Sequence, residues 1–358
     1  MKRGTDKKTI ELAHGSGGRD SADLIKDVFG KHFSNEVLDS LEDGAVLDMK
    51  ETKGDGSCVL SSPSPYVSKI VMSTDSFVVT PLTFPGGDIG KLSICGTVND
   101  ILMMGAIPRY LTCGFIIEEG FDIETLDKIV VSAAGEADKA GVKVVAGDTK
   151  VIDRRGDEPG LFINTTGIGI LPEGRNVSAA NSLAGDMVIV TGDLGDHHAC
   201  ILSARMNIEN NIKSDCALLK EITDSLFADK VNVHTMRDIT RGGLGTVLNE
   251  IASASNVSVE IIEKDLPVNG SVRDFCGIMG LDPIYMGNEG KMVIIVDPED
   301  ADNALKAIKK TGLGKDARLI GCVKEGGTKT GSGVFLKTKI GGTRKIDMLY
   351  GEGLPRIC

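Results

Sequence analysis

Between Asp88 and Ala106 the apolar positions Leu92, Cys95, Val98, Leu102 and Ala106 recur at three- and four-residue steps. That spacing predicts a helix, and Asp88, placed after Gly86-Gly87, is its expected N-cap. Ile123–Ala140 carries a second, amphipathic helical pattern. Strands are expected over 67–73, 75–80 and 110–117, and a short buried one over 142–146 that ends at Gly147-Asp148-Thr149-Lys150. Residues 161–171 read as a long strand in which Gly167 and Gly169 suggest another backbone passing close by. A polar stretch over 172–185 marks a boundary, after which the alternation resumes. Strands are expected over 187–191, 257–262 and 291–296, and helices near 216–228, 244–255 and 298–310. Residues 51–57 and 61–65 read as a polar surface excursion of a hairpin. No short-period repeat occurs, which excludes a solenoid. Past Lys345 the chain has no periodicity and reads as a flexible tail. The pattern describes an α/β (α+β) protein with an N-terminal domain over 1–180, a C-terminal α/β domain over 181–345 and a tail over 346–358.

Composition narrows the class. The 358 residues are 41% hydrophobic and 25% charged, with a formal net charge of -11. No stretch gathers Lys and Arg into a stripe that could neutralise a nucleic-acid backbone, so no nucleic-acid partner is expected. No apolar run of signal-peptide or membrane-spanning length occurs, so the expected location is cytoplasmic, with no membrane contact. Eight cysteines are spread singly, without the close pairs of a structural zinc site. Cys95, Cys113, Cys200 and Cys276 sit among apolar or small neighbours and are expected in the core. Cys358, the last residue, is different: a thiol at the end of a tail can act as a nucleophile that carries a small group.

Acidic and polar residues stand at the ends of expected elements: Asp43, Asp75, Asp88, Asn99-Asp100 and Asp148. Each alone reads more readily as an N-cap or turn residue. Together, beside Gly15-Ser16-Gly17-Gly18, they suit magnesium and the phosphates of a nucleotide. Lys150 follows Asp148, and Glu289 lies in Gly287-Asn288-Glu289-Gly290, where the glycines would leave its carboxylate open to a ligand. An opposed Lys and Glu could move protons, although a surface Lys and a loop Glu fit the same spacing. Arg241, in Asp238-Ile239-Thr240-Arg241-Gly242-Gly243-Leu244, could hold a phosphate or carboxylate. His197-His198 are adjacent, cannot share one helical face, and are expected at the surface or in a turn.

Several of these motifs together resemble a known family. Asp75-Ser76-Phe77-Val78-Val79, Phe84-Pro85-Gly86-Gly87-Asp88-Ile89-Gly90, Gly96-Thr97-Val98-Asn99-Asp100, Gly147-Asp148-Thr149-Lys150, Met236-Arg237-Asp238-Ile239-Thr240-Arg241-Gly242-Gly243-Leu244 and terminal Pro355-Arg356-Ile357-Cys358 look like the HypE carbamoyl dehydratases of hydrogenase maturation. The end motif separates that family from its wider superfamily of aminoimidazole ribonucleotide synthetases, selenophosphate synthetases and thiamine-monophosphate kinases. His14 stands where selenophosphate synthetases place a reactive Cys or Sec, which argues against selenium chemistry. The resemblance implies a two-domain PurM-like fold whose N-terminal domain forms a barrel across a homodimer, with ATP in the groove between domains. It implies Asp43, Asp75 and Asp100 as ligands of Mg2+ and phosphate, with Asp88, Asn99, Gly147, Asp148 and Arg241 nearby, and Lys150 and Glu289 as the proton-handling pair. A HypF carbamoyltransferase would load Cys358, the thiocarboxamide would be dehydrated to a thiocyanate, and the cyano group would pass to iron on a HypC-HypD complex. Two other readings predict different behaviour: a kinase or amide-activating synthetase would act on a free substrate without the tail, and a scaffold would only present the tail to partners.

Overall fold

The structure, a computed structural model, describes residues 10, 12–15, 18–48, 69–326 and 332–350. The 51–65 excursion, Ser16-Gly17 and Cys358 lie outside the described residues. The first sheet has the order β1 (Ala45–Asp48), β2 (Lys69–Phe77), β7 (Leu161–Ile170), β5 (Ile107–Glu118) and β6 (Lys143–Ile152). Between β2 and β5 lie a two-residue hairpin, β3 (Thr83–Phe84) and β4 (Gly87–Asp88), and helix α1 (Ile89–Met103). Only β5 and β6 run parallel, joined by helix α2 (Ile123–Ala140) as a crossover.

Seven further strands form the second sheet: β8 (Met187–Val190), β9 (Val233–Asp238), β10 (Val257–Ile262), β11 (Met292–Val296), β12 (Arg318–Glu325), β13 (Gly333–Lys337) and β14 (Thr343–Ile346), in the order β14-β13-β10-β12-β8-β11-β9. Helices α3 (Asp196–Arg205), α4 (Lys220–Ala228), α5 (Gly243–Ala254), α6 (Gly270–Met279) and α7 (Ala301–Lys309) connect them. No helix among the described residues is long and apolar enough to cross a membrane.

Helix α1 is the keystone of the molecule. Its first free N–H groups are met by the Asp88 side chain, which accepts from Lys91 N at 2.9 Å. Expected as a helix with one apolar stripe, it is buried on nearly every side. The reason is that it packs on the first sheet, on α2 and on the second half of the chain at once. Ile94, Val98 and Leu102 share one core with Ile189, Leu219, Ile222, Met236 and Ile294, so the two sheets are joined by continuous apolar packing. Asn99 adds polar register to that joint: its amide donates to Ala217 O at 3.0 Å and accepts from Leu219 N at 2.9 Å.

Four expectations are corrected. The strands over 67–73 and 75–80 are one, β2, with Asp75 inside it. The strand over 142–146 is neither short nor buried: β6 continues through Gly147-Asp148-Thr149-Lys150 and is exposed along almost its whole length. Among the described residues it is an edge strand with no neighbour beyond it, which an apolar run alone does not reveal. Gly167 and Gly169 do make room for a close approach, but chiefly for the side chain of Ile101 on α1, which would lie 2.6 and 2.4 Å from their Cβ atoms. His197 and His198 are buried on α3 rather than at the surface. Phe84 meets His197 edge-on, Ser214 Oγ lies 2.7 Å from His197 Nδ1, and Gly287 N donates to His198 Nδ1. Burial pushes the His198 imidazole down to about 3, so it is neutral. The other cysteine expectation holds, with Cys95, Cys113, Cys200 and Cys276 all in the core.

Candidate active site

Four carboxylates gather where α1, the segment before β1 and the end of β9 meet. Asp75 projects from β2 toward α1 in the same alternating set as Val71, Ser73 and Phe77, and Gly96 on α1 has no side chain that would crowd Phe77 and Asp75. Asp100, in the last turn of α1, accepts from Ser73 Oγ at 2.5 Å and hydrogen-bonds to Asp75. Two carboxyl groups can share such a bond only when one of them holds a proton. Asp238, the last residue of β9, and Asp43 complete the cluster.

Burial is the main influence on all four, and it pushes each carboxyl up. Asp100 rises well above the ordinary range, with Asp75, Asp238 and Asp43 adding repulsion and the Ser73 hydroxyl opposing it. Burial raises Asp75 against the pull of Arg241, and lifts Asp238 to about 6 against Arg237. Burial likewise raises Asp43, and Arg237 opposes that rise through a 2.6 Å ion pair between Nε and Oδ1. Arg237 also reaches Glu250 at 3.2 Å and the Leu41 carbonyl at 3.4 Å. The cluster therefore has more buried negative charge than its two arginines offset.

Glu289 belongs to the same electrostatic unit. It is buried, and its carboxyl is held well above the usual range, first by burial and then by Cys216, Asp238, Asp215 and Asp75. The loop that carries it is shaped by Asp215, whose carboxylate accepts from Glu289 N at 3.1 Å, Gly290 N at 3.2 Å and the Asn288 amide at 3.0 Å. Burial works to raise Asp215, but Lys291 at 3.5 Å and these donors outweigh it and hold the carboxyl below its ordinary value. The expectation that flanking glycines leave Glu289 open is thereby corrected. Gly290 is required because Asp215 O would stand 2.0 Å from a Cβ there, and the carboxylate itself is enclosed.

The remaining candidates fall in different places. Asp88 is engaged as the cap of α1, and both polar atoms of Asn99 bind backbone of the second half. Gly147 leaves room for the Cys113 carbonyl, 2.8 Å from where a Cβ would sit. Lys150 donates to Asp148 at 2.5 Å on exposed β6, a bond that is the main cause of the lowered Asp148 carboxyl. Within one chain Asp148 and Lys150 are thus a surface pair, partnered with Gly114 and Ile116 of β5, whereas the α1-facing set of β5 includes Leu111 and Cys113. Asp238, Arg237 and Asp215 were not singled out in the sequence as site residues. Asp238 carried a signal, an acid at a strand end before a glycine turn; Asp215 carried none.

A cation fits this cluster on two observations. Asp43 Oδ2 is buried without a hydrogen-bond donor, and four mutually repelling carboxyls surround the position. Among the described residues no three acidic, His or Cys side chains converge as a ready-made metal cage.

A buried acidic cluster thus lies where the two α/β halves of the chain meet. Residues 54–171 match the N-terminal domain of AIR synthase related proteins, and residues 184–333 match their C-terminal domain. The fold is also similar to thiamine monophosphate kinase from Aquifex aeolicus at 17% identity, with a TM-score of 0.62 over 92% of this chain and 99% of that one. More specifically, the chain is 44% identical to the carbamoyl dehydratase HypE of Cupriavidus necator, covering 98% of this chain and 95% of that protein. It is equally 44% identical to HypE of Escherichia coli, covering 98% and 99%. A crystal structure of HypE in complex with ATP matches with a TM-score of 0.77 at 43% identity, over 98% of this chain and all of that one. A HypE-HypF complex matches at 0.81 and 44%, over 91% and 99%. The chain belongs to the HypE family of carbamoyl dehydratases.

Proposed function

We infer that this protein uses ATP to dehydrate an S-carbamoyl group on Cys358 to a thiocyanate, supplying cyanide ligands for the iron of a NiFe hydrogenase. The observation that carries this reading is the enclosed cluster of Asp43, Asp75, Asp100, Asp238 and Glu289 in a chain of this family that ends in cysteine. The reaction balances as thiocarboxamide plus ATP giving thiocyanate, ADP and phosphate. An amide oxygen is a poor leaving group until it is phosphorylated, after which loss of two protons from nitrogen closes the nitrile. Asp43, Asp75 and Asp100 would hold Mg2+, which would neutralise phosphate charge there. Arg241, beside Asp75, would hold phosphate oxygens. Glu289 would take a proton from nitrogen, since a carboxylate of raised pKa is the stronger base once ionised.

HypF is the expected carbamoyl donor partner, as in the HypE-HypF complex, and a HypC-HypD complex the expected acceptor of the cyano group. The expected setting for this exchange is the cytoplasm. Replacing Cys358 by Ala is expected to abolish carbamoyl-dependent ATP cleavage while nucleotide binding survives. Intact mass before and after ATP tests it: the wild type gains a carbamoyl group and then loses one water, both on the C-terminal peptide. Full turnover by Cys358→Ala would end this reading.

The expected assembly is a homodimer, a reading supported by the first sheet. Its edge strand β6 and neighbour β5 expose Val144, Val145, Val151, Tyr110 and Ile116. Apolar side chains along an unpaired edge suit pairing with a second copy, which would close the two sheets into a barrel and place Lys150 at the interface. The Val145→Lys variant is expected to sediment as a monomer under conditions where the wild type is a dimer; an unchanged dimer would exclude β6 from the contact.

A further inference from the structure

Strand β14 ends at Ile346, and the segment that follows runs along the start of α5 with no regular structure of its own. It is held by side chains instead. The Asn249 amide donates to Ile346 O at 2.9 Å, and the Tyr285 hydroxyl donates to Asp347 O at 2.9 Å. Leu349 N points at Thr246 Oγ1 at 3.5 Å, and Leu349 O accepts from Arg19 N at 3.1 Å. Three glycines are required by this packing. A Cβ on Gly18 would stand 2.4 Å from Leu349 O, one on Gly245 would stand 2.8 Å from the Tyr285 ring and 3.2 Å from Ile346, and one on Gly243 would strike the Tyr285 backbone at 2.5 Å.

We propose that Asn249 and Tyr285 are positioning residues that anchor the root of the C-terminal tail, so that Cys358 is delivered to the carboxylate cluster from a set point at the start of α5. This rests on the reading that Cys358 is the carrier. The anchor and the cluster are close along the chain: Asp238 ends β9, and α5 begins five residues later after a tight turn in which Gly243 N donates to Thr240 O. Even fully extended, Asp238 to Thr246 covers at most about 26 to 29 Å, and the turn and helix shorten it well below that. The eight residues after Tyr350 reach at most about 26 to 29 Å, so a root fixed here leaves the cluster within range.

The physical effect of an anchor is on effective concentration. If Asp347 and its followers come free, the tether lengthens from eight residues to twelve, and effective concentration falls as roughly the −3/2 power of length, about twofold, with lost orientation adding to it. Neither residue touches the reacting atoms, so the intrinsic chemistry of the site is untouched.

The test separates tethered from untethered reaction. Full-length Tyr285→Phe/Asn249→Ala protein, carbamoylated on Cys358, is compared with wild type for the single-turnover rate of water loss by intact mass. The same substitutions in a Cys358→Ala background are then given a synthetic S-carbamoylated peptide of the last eight residues. The expected result is a tethered rate about two- to fivefold lower, with the peptide rate and the ATP concentration for half-maximal rate unchanged. An unchanged tethered rate would overturn the anchor, as would equal losses in the tethered and peptide reactions, which would mean that the residues serve the site itself. Wild-type protein that loses no water would remove the carrier reading, and the anchor with it.

Discussion

Glu289→Gln is expected to slow dehydration of the carbamoylated tail by about a hundred- to ten-thousandfold, the range associated with loss of a positioned general base. Glutamine keeps the shape and the loop. The Asp215 bonds that fix the backbone of Glu289 and Gly290 do not involve the Glu289 side chain, and the Gly290 approach is likewise unaffected. Nucleotide binding is therefore expected to survive. Stability should move the other way. Glu289 has a folded pKa raised well above its ordinary value, so it takes up a proton more readily when folded than when unfolded. Its contribution is fully present below the unfolded pKa and is lost as pH rises through the folded value. Over that window a neutral glutamine escapes the loss, and Glu289→Gln should melt at or above the wild type at alkaline pH. Thermal melts from pH 4 to about 9 together with single-turnover mass analysis check both halves. A variant with wild-type turnover would remove Glu289 from the chemistry, and one that unfolds at all pH values would show that the side chain is structural.

Arg237→Ala is expected to destabilise the protein by about 3 to 5 kcal/mol, the usual cost of removing one partner of a buried ion pair. Arg237 is held between Asp43 on the segment before β1 and Glu250 on α5, so the loss falls on the joint between the two halves. It also leaves Asp43, with a buried Oδ2 that already has no donor, facing Asp238 and Glu250 without a cation. Denaturant unfolding measures the loss. In Asp43→Asn/Arg237→Met, where the charge is removed from both sides, much of the stability should return while activity does not, because Asp43 is assigned to the phosphate and cation site. A single variant within about 1 kcal/mol of wild type would place the ion pair in solvent, contrary to its enclosure here.

The sequence was informative where the interactions are local. Asp88 and the helix after it were legible because capping and three- to four-residue apolar spacing are local properties: the donor that Asp88 meets is three residues away. The ends of α2 were legible for the same reason, with Asp122 capping its start and Gly141 in the left-handed conformation at its end. Asp75, Asp100 and Glu289 stood out as acids in otherwise apolar or glycine-rich settings. What the pattern misjudged depends on neighbours distant in the chain. The apolar run at the head of β6 gives no sign that no strand lies beyond it, so its exposure could not be read. His197 and His198 look like a polar pair, yet the Phe84 loop, Ser214 and Gly287 enclose them.

By itself, then, the chain determined its class, its alternation of strands and helices, the acids available for a phosphate site and the cysteine at its end, because residue type and short-range spacing set these. The tertiary structure alone decided that α1 is shared by both halves, that Asp238 and Arg237 join Asp43, Asp75 and Asp100, and that Asp215 holds the loop of Glu289. It also decided that Lys150 sits on an open edge while the root of the tail is pinned beside the glycine turn. Such pairings arise from sheet order and from which faces meet, and the energies that matter there, burial of charge and repulsion between carboxyls, exist only once distant segments have excluded water together.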